Sequence, residues 1–120
     1  MKTRKQRIED KLLSLGVRPN LSGFAGAATV TRLWMEAQDN GDSCPRICAI
    51  YHDAAMELNT TASRLERSIR HAIEIVFDSC TAEDLAERFV SPTSMRKGKY
   101  TNSDFVSMLA LLVRREEGDS

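Results

Sequence analysis

Charge of one sign is the first thing this chain lacks: 17 lysines and arginines balance 17 aspartates and glutamates over 120 residues, so the formal net charge is zero. Gross electrostatics therefore point to no polyanionic partner, and only the distribution of charge can. Long apolar runs are missing too. No stretch reaches the 18 or so residues a membrane span needs, and the basic start leads into an amphipathic pattern rather than a signal-peptide core. A cytoplasmic protein with no membrane partner is the expectation. Cysteines number three, an odd count without an export signal, which argues for reduced thiols rather than a disulfide framework. Catalytic groups are equally scarce. The two histidines, His52 and His71, lie far apart, no serine or cysteine sits in a nucleophile motif, and a glycine-rich phosphate loop and H-E-x-x-H are absent. The chain does not read as an enzyme and implies no cofactor.

Cys44, Cys48 and His52 are spaced i, i+4, i+8, which would line them along one face of a helix. A fourth ligand is missing nearby and cysteine serves commonly as a small buried hydrophobe, so no metal is expected.

What is present is helical periodicity, in a chain whose 42% apolar content can bury a core without staples. Ile8, Leu12 and Leu15 predict a first helix over 5–15, with Gly16 at its C-cap. Asn20 is placed to cap a second helix that turns Phe24, Ala27, Ala28, Thr31, Trp34 and Met35 inward. Gly23 and Gly26 weaken its first turns but let another helix approach closely. Trp34 reads as core rather than ligand platform. Ser43 and Pro45 mark a third helix start, and Ile47, Ile50, Tyr51, Ala54, Ala55 and Leu58 then keep helical spacing until Asn59. After a break of about three residues, 59–61, a fourth helix runs to Phe77, capped by either threonine or by Ser63 with Glu66. Thr81 with Asp84 predicts a short helix bearing Leu85 and Phe89, residues 90–100 read as a basic loop, and Thr101 with Asp104 starts a last helix. The expected architecture is all-α, six helices in one domain over 1–120, with residues 1–7 a flexible basic arm and 116–120 a flexible acidic tail. Internal repeats and low-complexity segments are absent.

The third and fourth helices have the layout of a helix-turn-helix. Wound at 100° per residue, the fourth puts Leu65, Ile69, Ala72, Ile73, Ile75 and Val76 on one side, together with Ser68. Ser63, Arg64, Glu66, Arg67, Arg70, His71 and Glu74 fall on the other. An ordinary solvated face is one reading of that arc. Nucleic-acid contact is the other, because arginine's rigid fork fits O6 and N7 of guanine and glutamate accepts from the cytosine amino group.

The segment NTTASRLERSIRHAIE, followed by a short helix, a basic loop and TNSDF, resembles the C-terminal effector domain of the sporulation master regulator of endospore-forming bacteria, the stage-zero sporulation transcription factor A. The resemblance spans nearly the whole chain. It implies six helices with a helix-turn-helix, and a transcription factor that binds double-stranded DNA at a short TGTCGAA-type box, often as two domains in tandem, with RNA polymerase a further partner. By position, it makes Arg64, Glu66 and Arg67 the base readers, and Thr61, Ser63, Arg70, His71, Lys97 and Lys99 the backbone contacts. Departures are visible. His52 and Tyr100 stand where the family usually has proline, and Leu65 replaces a valine. The regulator's receiver domain has no room in 120 residues, so phosphorylation control is not expected. That difference, with zero net charge, motivates a second hypothesis: a protein-interaction module that keeps the fold and pairs with a full-length regulator without productive DNA binding. A third is an excised domain of a longer protein.

Overall fold

Helix α1 (Arg4–Ser14) starts with a capping box: the Thr3 hydroxyl accepts the Gln6 N–H at 3.1 Å while the Gln6 side chain accepts the Thr3 N–H at 2.9 Å. It stops at Gly16, whose φ of +94° costs glycine nothing, and the Val17 N–H closes back onto the Leu12 carbonyl at 3.0 Å. Arg4 to Arg7, expected in a flexible arm, form the first turn of this helix. Arg4 sits between Asp39 and Glu117, at 2.8 and 2.9 Å.

The computed structural model describes residues 2–79 and 101–118. Helices α2 (Ser22–Asp39), α3 (Ile47–Leu58), α4 (Ala62–Ser79) and α5 (Asn102–Gly118) complete the five helices found there, and no strand occurs among the described residues. The all-α expectation agrees with this. Five helices, not six, are what the structure shows; the short helix expected around Leu85 and Phe89 and the loop over 90–100 lie outside the described residues.

Two predicted helix starts are corrected. Helix α2 begins at Ser22 with Leu21 at its N-cap and no side-chain cap, so Asn20 does not serve. Helix α3 begins at Ile47 rather than at Ser43 or Pro45. The Asp42 carboxylate accepts the Cys44 N–H at 3.2 Å, an Asx turn that diverts the chain. Cys44 also precedes a proline, which disfavours helical geometry there.

All five helices feed one hydrophobic cluster, with Ile8, Leu12, Met35, Ile69, Ile73, Phe105 and Leu109 fully buried. Each such side chain contributes about 1.5–3 kcal/mol relative to exposure. Trp34 is core, as expected. Helix α2 packs against each of the other four. Its closest approach is to α4: a Cβ added at Gly23 would lie 2.4 Å from the Ser68 carbonyl oxygen and 2.9 Å from the Ala72 Cβ, and one at Gly26 would lie 2.7 Å from Leu65 Cδ1. The sequence's hint of close approach is thus realised, and it seats α4 directly on the hub.

Candidate nucleic-acid interface

The turn between α3 and α4 is three residues long and fixed by backbone hydrogen bonds. Asn59 adopts left-handed geometry, φ 56° and ψ 50°, which asparagine tolerates better than most side chains. The Thr60 N–H then reaches the Ala55 carbonyl at 2.9 Å. Thr61 resolves the ambiguity of the next cap: its hydroxyl accepts the Arg64 N–H at 3.2 Å and its carbonyl accepts the Leu65 N–H at 3.0 Å.

Seated by Leu65, Ile69, Ala72, Ile73 and Val76, all buried, helix α4 turns its other side outward. Thr61, Ser63, Arg64, Glu66, Arg67 and His71 are exposed and Arg70 is half-buried. The structure therefore brings seven of the nine residues predicted for the site onto one surface; Lys97 and Lys99 lie outside the described residues. Ser63, Glu66, Arg67 and Arg70 line a shallow groove of about 360 Å³ whose fifth wall is Asn102, the first residue of α5. The Asn102 amide donates to the Glu66 main-chain carbonyl at 3.1 Å. Nothing in the local sequence marks Asn102, because its role depends on a partner 36 residues away.

Behind this wall lies Tyr51 of α3, 5% exposed. Burial pushes its phenol above the ordinary value, and the facing Asn102 amide partly offsets that rise. The hydroxyl nevertheless makes no hydrogen bond of ordinary geometry.

Ion pairing differs along the molecule. Among the described residues Arg64 and Arg67 form no ion pair, while Arg70 reaches Glu74 at 3.7 Å. By contrast, the region where α1, the C-terminal part of α2 and the C-terminal part of α5 meet is a lattice of pairs. Arg4 and Arg114 share Asp39, Arg4 also holds Glu117, and Lys11 reaches Glu116 at 3.5 Å. Arg32 joins α2 to α3 through Glu36 and Glu57. At 1.5 Å per residue, Glu117 lies about 22 Å along α5 from Asn102, so this paired region stands apart from the arginine face.

The metal alternative loses its geometry, because Cys44 precedes α3 and cannot share a helix face with Cys48 and His52. Cys44, Cys48 and His52 are all exposed, correcting the view of the two cysteines as buried hydrophobes. Among the described residues no cluster of three or more His, Cys, Asp or Glu side chains is assembled. Helix α3 runs without interruption through His52. No helix among the described residues is long and apolar enough to cross a membrane.

Among the described residues, α3, a three-residue turn and the arginine-bearing α4 follow one another in the order of a helix-turn-helix. The family model described as sporulation initiation factor Spo0A C terminal matches residues 8–113. The chain belongs to that family, which is one of DNA-binding effector domains of transcription regulation in sporulation.

Proposed function

We propose that this domain is a sequence-specific transcriptional regulator whose α4 enters the major groove of a TGTCGAA-type box. Arg64 and Arg67 donate to guanine O6 and N7, and Glu66 accepts from a cytosine amino group. Thr61, Ser63, Arg70 and His71 hold the flanking phosphates, with Lys97 and Lys99 of the basic loop assigned to the same task by resemblance. Two domains side by side on repeated boxes strengthen the binding of each, and contact with RNA polymerase converts occupancy into regulation.

One observation carries this reading: Arg64, Glu66 and Arg67 share an exposed face without an ion pair among the described residues, in a family of DNA-binding domains. A helix that served solubility alone would more often pair such charges at i, i+4.

The test compares binding of wild type and Arg67→Ala to the box and to a scrambled duplex. Wild type is expected to prefer the box, and the variant to lose about five- to 150-fold of that preference, the span of one good bidentate contact. Equal wild-type affinity for both duplexes sinks the claim of sequence reading and leaves a protein-interaction module as the better account.

A further inference from the structure

Asn102 belongs to the last helix, yet its amide touches the middle of the surface assigned to base reading. Its Nδ2 donates to the main-chain carbonyl of Glu66 at 3.1 Å, and it lines the same groove as Ser63, Glu66, Arg67 and Arg70. Helix α5 does not need this side chain for its own start. Thr101 and Asp104 already make a reciprocal capping box, the Asp104 N–H to the Thr101 hydroxyl at 3.1 Å and the Thr101 N–H to the Asp104 carboxylate at 2.9 Å. The burial that anchors α5 comes from Phe105, Val106, Leu109 and Val113. Asn102 is thus spare for α5 and engaged with α4.

The contact falls on the turn that carries Glu66 and Arg67. The Gly23 and Gly26 contacts hold α4 from below, but two helices packed through small residues still leave freedom to slide and roll. A directional hydrogen bond from a third helix removes part of that freedom. Base readout depends on such precision, since bidentate pairing tolerates little displacement, whereas a phosphate contact tolerates more.

We propose that Asn102 is a positioning residue for base reading: its hydrogen bond to the Glu66 carbonyl sets the roll and depth of α4, and so governs discrimination between sequences more than overall grip on DNA. This rests on the reading of α4 given above.

Two variants separate the position of α4 from its stability. Asn102→Ala deletes the amide. Asn102→Asp keeps its shape but cannot donate to a carbonyl, while its negative charge in the first turn favours α5. Binding of wild type and both variants to the box and to the scrambled duplex is measured together with thermal unfolding. The expected result is a three- to tenfold fall in the ratio of box to scrambled affinity for both variants, about the worth of one neutral hydrogen bond. Asn102→Asp should show this fall while melting within a few degrees of wild type, because the gain at the helix start and the lost hydrogen bond are of similar size. An Asn102→Asp protein that keeps the wild-type ratio overturns the proposal. So does a loss that is equal on both duplexes, which marks a phosphate contact. A wild type without preference for the box refutes the underlying reading instead, so the two failures are told apart.

Discussion

Tyr51 places a phenol ring in the core and, among the described residues, its hydroxyl faces the Asn102 amide without a hydrogen bond of ordinary geometry. A buried unpaired polar group costs about 1–3 kcal/mol, so Tyr51→Phe should keep the ring's packing and relieve that cost. For a chain of this size we expect the melting temperature to rise by about 3–6 °C per kcal/mol relieved, as read by calorimetry. A drop would mean the hydroxyl is bonded in solution. Residues differ in how far their roles were legible. Arg64, Glu66, Arg67 and His71 could be placed on an exposed arc from spacing alone, because a helix periodicity fixes direction without knowledge of neighbours. Asn102 and Arg4 could not. Their partners, Glu66 for the one and Asp39 with Glu117 for the other, are remote in sequence, and periodicity says nothing of such meetings.

Side-chain caps make some helix ends readable but not all: the Thr3 and Gln6 capping box that opens α1 goes unread in the sequence, and the cap of α4 is left between three residues. Thr101 with Asp104 opens α5 as expected, and Gly16 ends α1. Helices α2 and α3 start from Leu21 and Arg46, with no side-chain cap to announce them. The seat of α4 on α2 gives the sharpest prediction at this scale. Gly23→Ala forces a Cβ against the main chain of Ser68 and the Cβ of Ala72, neither of which can swing aside. Overpacking of this kind costs about 1–3 kcal/mol, more than the gain in helix propensity returns. Gly26→Ala meets only the end of the Leu65 side chain, which can change rotamer, so it should be the milder of the two. Urea unfolding of both variants checks the order, and a Gly26→Ala protein less stable than Gly23→Ala contradicts the seat described.

Across the whole molecule, the ion pairs around Asp39 and Glu117 link stability to acidity. Hydrogen bonds from Arg4 hold both carboxylates below their ordinary values; Arg114 adds to the effect on Asp39. A carboxyl whose pKa is lowered by folding stabilises the native state above its unfolded value, about 4. That contribution is lost as pH falls through the lower folded value. Arg4→Gln should therefore lower the melting temperature by a modest, nearly constant amount from pH 6 to 8 and flatten its fall below about pH 4, where the two proteins converge. The effect will be modest, because solvent screens these pairs, and thermal scans across that range measure it. An unchanged acid limb would mean the pairs do not persist in solution. The uneven pairing of charge shapes how the protein meets a polyanion. A molecule of zero net charge has no attraction to DNA that survives rotational averaging. Screening over about 8 Å at physiological salt makes the attraction local: Arg64 and Arg67, exposed and without an ion pair among the described residues, act on the duplex only when α4 faces it. In the reading proposed for α4, capture therefore selects orientation before it selects sequence: encounters that present mutually paired charges gain little, and those that present α4 arrive already aimed.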